Sequence, residues 1–216
     1  MTFGIVLKSF LPHKHKLSVL TRSNGKVMLV IKPSRMQRTF SAGTSMQFFS
    51  KKGARFLVAE KLEIISVPAL LNESSICWVH HIIEIVYYFS PLGSPCPDLF
   101  RLIHCCLALS SCHAVFEPYF IIIEKICLVR LFMLLGFYPE RRLVFFGGLF
   151  DQVVSLSLDS SNTEKVRSLH VLLADVSQDD CRRADKWLWL CLQEHPNVEK
   201  FKTLSFLEYV VGNRRD

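Results

Sequence analysis

The sequence predicts an α+β protein, in which a small closed β-barrel is followed by a mostly α-helical domain. Apolar and polar residues alternate at the start of 16–21, apolar residues share one face of 27–32, and turn-forming residues separate these and other short extended runs in the first 65 positions, as in short strands. From Glu73 onwards the apolar residues recur every three or four positions, which is typical of helices. All 19 Asp and Glu residues of the 216-residue chain lie after position 59, so the strand-rich part is also purely basic.

Five strands are predicted in the N-terminal part, at 3–10, 16–21, 27–32, 44–50 and 54–65. Asn24-Gly25 between two β-rich runs is a strong hairpin signal, because both residue types tolerate positive φ. Lys51-Lys52-Gly53 predicts a second tight turn, between the last two strands. This pattern favours an oligonucleotide-binding (OB) fold, while an SH3-like barrel with a similar strand count stays open as an alternative.

The second half is predicted to be helical, at 74–89, 98–111, 118–135, 162–176, 178–194 and 197–211. Residues 141–158 are ambiguous, and Phe145-Phe146-Gly147-Gly148 favours a turn between short extended pieces. We therefore predict two domains, an OB-fold at 1–70 and a helical domain at 71–216.

The most apolar stretch, 119–138, is about as long as a membrane span. It contains Glu124, Lys125 and Arg130, and charges near the centre of a bilayer cost several kcal/mol each. The stretch is therefore interpreted as a helix buried in protein, and no membrane partner is predicted.

The basic block has one sign of charge over a whole small domain, which attracts a polyanion such as a nucleic-acid backbone. Its eleven cations are the predicted DNA-binding residues: Lys8, Lys14, Lys16, Arg22, Lys26, Lys32, Arg35, Arg38, Lys51, Lys52 and Arg55. Aromatic rings could stack bases, although a Phe in a strand more often belongs to the core. The candidate rings are Phe10, Phe40, Phe48, Phe49 and Phe56.

The eight cysteines are interpreted as reduced thiols among apolar neighbours. His104-Cys105-Cys106 and Cys112-His113 are poor metal sites, since adjacent helical residues point about 100° apart. The glycine patterns of nucleotide-binding loops are absent, and no catalytic constellation stands out. We predict no metal, no cofactor and no enzymatic activity, and a nuclease or thiol hydrolase is the least supported class.

The order of these features resembles that of RecO, a bacterial family in which an OB-fold precedes a helical domain. Three stretches carry the resemblance. Gly4-Ile5-Val6-Leu7-Lys8 opens the chain, before the 17–21 strand and the Asn24-Gly25-Lys26 hairpin. The second stretch is similar to the family's Leu-rich helix that ends in Leu-Gly-aromatic-x-Pro; it is Arg130-Leu131-Phe132-Met133-Leu134-Leu135-Gly136-Phe137-Tyr138-Pro139. Phe201-Lys202-Thr203-Leu204-Ser205-Phe206-Leu207 is similar to its C-terminal Lys-Ser segment.

The resemblance implies a DNA repair and homologous recombination mediator of the RecF pathway. Such a protein binds single- and double-stranded DNA, anneals complementary strands and helps to load RecA on DNA coated with single-stranded DNA-binding protein (SSB). The implied partners are RecR and the acidic, Phe-ending tail of SSB, and the implied location is cytoplasmic and nucleoid-associated. Many members also carry a four-Cys zinc site, but only Cys181 and Cys191 follow Pro139 here, so we expect a RecO without zinc. Leu128 also departs from the family, since many members carry Glu there.

Arg130 has two interpretations, because an Arg in an apolar helix needs a partner. It could pair with an internal carboxylate such as Glu124 or Glu84, or it could help to bind the acidic SSB tail. The cations predicted for that tail are Arg130, Arg141, Arg142, Lys200 and Lys202. An RNA-binding OB-fold protein with a helical interaction domain is the alternative to the RecO interpretation.

Overall fold

The computed structural model describes residues 1–10, 15–31, 40–52, 56–68, 73–111, 119–157, 163–196 and 198–201. The chain divides into two compact units, Met1–Leu107 and Ala108–Asp216. The first unit contains the barrel together with the helices that follow it. The predicted domain boundary after residue 70 stays a prediction.

The first unit is built on a closed five-stranded barrel, as predicted. Its strands are β1 (Thr2–Ser9), β2 (Lys16–Thr21), β3 (Gly25–Val30), β4 (Ser45–Lys52) and β5 (Leu57–Ser66). They close in the order β1-β2-β3-β5-β4, with β1 antiparallel to β4. A simple meander would pair β3 with β4, whereas here β3 pairs with β5 in parallel. This crossing is that of a Greek-key barrel and identifies the barrel as OB-like.

The two predicted turns differ in detail from the structure. Thr21 pairs with Gly25, so the β2–β3 loop has three residues, 22–24, and is followed by left-handed Gly25, the first residue of β3, with φ +64°. The Thr21 hydroxyl accepts from the Asn24 N–H and donates to the Gly25 carbonyl, both at 3.1 Å. The predicted turn at 51–53 is wrong for Lys51 and Lys52, which end β4, and Gly53 lies outside the described residues.

The inside of the barrel is filled by alternate residues of the strands, among them Val6, Leu17, Leu29 and Met46. Phe40 and Phe48 belong to this core and are only 5% and 1% exposed. The prediction that Phe40 and Phe48 could stack bases is therefore wrong, because a ring inside the barrel cannot contact a base.

Two helices complete the described part of this unit, α1 (Glu73–Phe89) and α2 (Pro97–Ser111), although the last residues of α2 fall beyond its boundary. Helix α1 lies against β1, where Ile5 and Leu7 are buried although they alternate with the inward-facing residues. The segment after α1 contacts the β2–β3 hairpin, since the Gly93 N–H donates to the Lys26 carbonyl at 2.9 Å. The helix and this segment therefore cover part of the outer surface of the barrel.

The second unit is helical in its described residues. Its helices are α3 (Phe120–Leu134), α4 (Val144–Ser157), α5 (Thr163–Ala174) and α6 (Gln178–Gln193), followed by a 3₁₀ turn, Val198–Lys200. Helix α3 packs against α4 and α6, and α5 packs against α4. The predicted buried helix in 119–138 is confirmed as α3, most of whose side chains are buried. No helix among the described ranges is both long and apolar enough to cross a membrane.

The predicted turn at Phe145-Phe146-Gly147-Gly148 is wrong, because α4 runs through it. Phe146, Phe150 and Val153 recur at helical spacing and are buried. A Cβ at Gly147 would lie 2.5 Å from Met133 Sδ, so the glycine allows α4 to approach α3 closely. Of the predicted helix at 197–211, residues 198–200 form the 3₁₀ turn, and 197 and 202–211 lie outside the described residues.

Candidate nucleic-acid interface

Five of the eleven predicted DNA-binding cations have described side chains: Lys8, Lys16, Arg22, Lys26 and Lys51. Lys8, Arg22 and Lys51 are exposed, while Lys16 and Lys26 are half-buried. Lys52 is described only through its backbone. The others lie outside the described residues: Lys14, Lys32, Arg35, Arg38 and Arg55.

The strand register brings two of these lysines onto one line across the barrel. Lys16 pairs with Val30, Val30 pairs with Val58, and Val58 pairs with Lys51. Paired residues point to the same side of a sheet, and the neighbours Leu17, Leu29 and Leu57 point inward. This line, which we call the lysine row, therefore lies on the outer face. Neighbouring strands are about 4.8 Å apart, so the two lysine backbones are within about 14 Å.

Aromatic rings hold the ammonium groups at this end of the barrel. Lys16 Nζ lies 4.1 Å from the ring centroid of Phe56, and Lys8 Nζ lies 5.4 Å from that of Phe10. Phe10 adjoins the lysine row, because its N–H donates to the Lys16 carbonyl at 3.0 Å. Cation–π contacts restrict the lysines without neutralising them, so each keeps its charge for an anion. The same contacts occupy one face of each ring, which reduces the value of Phe10 and Phe56 as stacking candidates.

Lys26 differs from the other barrel lysines. Its Nζ donates to the Tyr87 carbonyl at 2.6 Å, in the last turn of α1, where carbonyls lack helical partners. Burial lowers the pKa of Lys26. The Tyr87 ring centroid lies 5.3 Å from Lys26 Nζ and 4.7 Å from Lys8 Nζ. Lys26 therefore holds the hairpin to the helix, and its role in DNA binding stays a prediction.

Tyr87 is a residue that sequence reasoning missed. Its ring makes cation–π contacts with two predicted DNA-binding lysines, Lys8 and Lys26, and its carbonyl accepts a hydrogen bond from Lys26. The sequence shows an aromatic pair, Tyr87-Tyr88, near the end of a helix, but nothing in it indicates which lysines the pair contacts. The Lys26–Tyr87 hydrogen bond spans 61 positions of sequence.

Lys51 is paired with the first acid of the chain. Its Nζ lies 2.6 Å from Glu60 Oε1, and the two side chains are 79% and 39% exposed. The hydrogen bond and charge of Glu60 raise the pKa of Lys51. An exposed pair of this kind is weak and exchanges readily with water or another anion. A phosphate that binds Lys51 would therefore displace Glu60.

In the second unit, the buried cation of α3 is Lys125 rather than Arg130. Lys125 is 7% exposed and forms an ion pair with Asp185 of α6. Arg130 is half-buried and makes no ion pair within the described part of the chain, so the predicted pairing with Glu124 or Glu84 is not observed.

The other predicted partner-binding cations are on the surface. Arg141 and Arg142 are exposed just before α4, Lys200 is exposed in the 3₁₀ turn, and Lys202 lies outside the described residues. Arg183 lies 2.8 Å from Asp179 and lowers the pKa of that carboxyl, with smaller contributions from Arg182 and Arg142. Arg142 is therefore near Asp179 at the start of α6, where both acids and further cations lie.

Exposed apolar side chains lie next to these arginines in sequence. Tyr138 is 84% exposed, Val144 47% and Phe145 41%. Carboxylates bind guanidinium groups, and apolar rings bind such exposed apolar surface. The 138–145 segment thus offers both kinds of contact that an acidic, Phe-ending peptide needs.

The described residues include neither an activated Cys191 thiol nor a cluster of metal-ligating side chains. Burial, and then the charge of Glu194, raise the pKa of Cys191 to about 11, so this thiol is protonated at neutral pH. Within the described ranges, no three His, Cys, Asp or Glu side chains come together as metal ligands would.

No protein-family model matches this chain, and no curated protein matches it in sequence.

Proposed function

We propose that this protein is a non-enzymatic DNA-binding mediator of repair and homologous recombination, similar to RecO. It binds single- and double-stranded DNA, anneals complementary strands and helps to load RecA on SSB-coated DNA in the RecF pathway. The observation that carries the proposal is that 59 residues without an acid form most of an OB-like barrel with lysines aligned on its outer face.

The lysine row suits phosphates better than bases. Ammonium groups act as point charges, and each one that neutralises a phosphate releases counterions. Contacts of this kind position a nucleic acid without reading its sequence. A surface that neutralises two strands at once also lowers their mutual repulsion, which is what annealing requires.

The helical unit supplies the protein contacts in this proposal. Arg141 and Arg142, close in sequence to the exposed Tyr138 and Phe145, support a site for the acidic tail of SSB, and the half-buried Arg130 is a further candidate. RecR as a second partner, and a cytoplasmic, nucleoid-associated location, follow from the resemblance to RecO.

A salt titration of DNA binding tests the first half of the proposal. Binding of labelled single strands is compared between the intact protein and the Lys16→Gln/Lys51→Gln variant. We expect weaker binding and a slope of log K against log salt that is flatter by about 1.4, from about 0.7 per lost phosphate contact. The matched control, Arg167→Gln/Lys186→Gln, removes two exposed charges from the helical unit and should keep the slope. Equal slopes in all three proteins, or a strict preference for structured RNA, would contradict the proposal.

A labelled acidic peptide ending in Phe tests the second half. The Arg141→Gln/Arg142→Gln variant should lose most of its affinity for the peptide while its DNA slope stays unchanged. The Lys16→Gln/Lys51→Gln variant should bind the peptide as the intact protein does. Peptide binding that is insensitive to both arginines would remove the SSB tail from the proposal.

A further inference from the structure

Two phenylalanine rings lie exposed beside the Lys51 end of the lysine row, where β1, β4 and β5 adjoin. Phe3 and Phe49 are 49% and 47% exposed. Phe3 pairs with Gln47, and Phe49 is two residues further along β4, so both rings point outward on neighbouring strands. Diagonal neighbours of this kind are about 7–8 Å apart, close enough for long side chains to form one surface. We call Phe3 and Phe49 the aromatic pair.

About half of the surface of each residue of the aromatic pair is exposed. Neither makes an aromatic or cation–π contact with another described residue, in contrast to Phe10 and Phe56, which lie under lysines. Phe48, which lies between Gln47 and Phe49, faces the core and is 1% exposed. The alternation of the strand explains why Phe49 points outward, but burial does not explain why that outward position carries a Phe.

The surroundings of the aromatic pair are mixed: they include exposed lysines, the acid Glu63 and the exposed apolar Met1 and Ile65. Phe49 pairs across the ladder with Lys61, which is exposed, and Lys51 lies two residues further along β4. Gln47, between the two rings, pairs with Glu63 on its other side. Ile65 is the other large apolar residue exposed on this face of β5, at 46%. Two flat rings with flanking ammonium groups fit a flat, anionic ligand better than they fit an apolar protein segment.

We propose that the aromatic pair is a stacking platform for unpaired bases, next to the Lys51 end of the lysine row. This inference rests on the proposed DNA-binding function and adds a preference to it. Every base has a π face that can stack on a ring, and Lys61 and Lys51 are placed to meet the phosphates of the same strand. The bases of a duplex stack on one another and are not free for the platform. The lysine row therefore binds single and double strands alike, whereas the platform binds only single strands.

The platform favours release of the annealed product over release of the single strands. A strand held by its bases on Phe3 and Phe49 exchanges these stacking contacts for those of the duplex when its complement pairs with it. The annealed product then keeps only its phosphate contacts, so it dissociates more readily than the single strands.

Three labelled ligands of equal length separate the two kinds of contact: an oligo(dT) strand, an abasic strand with the same phosphates, and a duplex. The intact protein should bind oligo(dT) about tenfold or more tightly than the abasic strand, since stacking one base typically contributes that much. The Phe3→Leu/Phe49→Leu variant keeps apolar side chains but loses the rings, and should bind oligo(dT) no better than the abasic strand. Its binding to the abasic strand and the duplex should not change.

The control is Ile65→Ala, which removes exposed apolar surface from the same face without touching a ring and should behave as the intact protein. All substituted side chains are exposed, so thermal unfolding should report an unchanged fold. Oligo(dT) binding that survives the loss of both rings would overturn the platform. Unchanged DNA binding with altered sedimentation of the variant would overturn it too, and would assign the face to protein contacts. Failure of the intact protein to bind the abasic strand and the duplex at low salt would instead reject the proposed function of the lysine row.

Discussion

At the scale of single residues, the barrel lysines have the same predicted role but three different environments. Lys16 lies over an aromatic ring, Lys26 donates to a helix carbonyl, and Lys51 is paired with an acid. Composition gives the number of cations but not their partners, because the partners come from other strands or from α1. In the proposed function, the affinity for DNA depends on how easily each lysine leaves its present contact.

Replacing Glu60 with Gln should tighten DNA binding. The substitution removes the acid that competes with phosphate for Lys51, so the slope of log K against log salt should steepen by up to about 0.7. The measurement is a salt titration with labelled single strands. Glu63→Gln is the matched control, because it removes an exposed acid from the same strand that has no ion pair among the described residues. An equal gain from both variants would indicate a general effect of net charge and contradict a specific role of the Lys51–Glu60 pair.

The Lys125–Asp185 pair should respond asymmetrically to substitution. Asp185→Ala leaves a buried ammonium without its partner and should lower the free energy of unfolding by about 3 kcal/mol. Lys125→Met should cost less, about 1 kcal/mol, since its side chain fills the same space and the Asp185 carboxylate left behind is 28% exposed. Urea unfolding of both variants measures the difference. Equal losses would mean that the ammonium is not the costly member of the pair.

At the scale of elements, the sequence predicted the strands and most helices because their patterns are local. Strand alternation and the hairpin signal at Asn24-Gly25 can be read within a few residues of each other. The parallel pairing of β3 with β5 could not be predicted from local sequence patterns, since it joins segments that are about 30 positions apart. Pattern alone therefore left the OB-like and SH3-like barrels open, and strand pairing decided between them.

In the sequence of α4, the turn signal of Gly147-Gly148 conflicts with the helical spacing of its neighbours. Leu143, Phe146, Phe150 and Val153 already follow the helical period, so the signal was present in the sequence. Tertiary packing overrides the low helix propensity of glycine here. The lysine row, in contrast, depended on register between strands, which single-strand patterns do not contain.

Alanine substitution should change the free energy of unfolding differently at the two glycines of α4. A Cβ at Gly148 meets no atom within 4 Å, so Gly148→Ala should raise the free energy of unfolding by up to about 1 kcal/mol through helix propensity. At Gly147 the same Cβ meets Met133 Sδ at 2.5 Å, and the movement of that side chain should offset the gain. Chemical denaturation compares the two variants. Equal stabilisation would show that α3 and α4 do not need the close approach.

At the scale of the whole molecule, charge is divided between the two units. Residues 1–107 carry 13 basic and five acidic side chains, while residues 108–216 carry 13 basic and 14 acidic ones. The proposed function follows the same division, with DNA held by the first unit and acidic peptides by local arginine groups of the second. The total charge of +7 does not show this difference.

Separate expression of the two units should therefore separate the two activities. A 1–107 fragment should keep the salt slope of the intact protein on DNA, and a 108–216 fragment should bind the acidic peptide but not DNA. Circular dichroism first establishes that each fragment is folded. A folded first fragment with a clearly flatter slope would place part of the DNA surface in the second unit.

The strand order also has a consequence for how the protein is made. Since β5 is the neighbour of both β3 and β4, the barrel cannot close until residue 66 has left the ribosome. Until then β3 and β4 each have a free edge that can pair with another chain. The emerging segment is also purely positive up to Glu60, so it attracts the ribosomal RNA beside it. We expect this protein to be slow to fold during synthesis, and chains that stop before β5 to aggregate or stay on the ribosome.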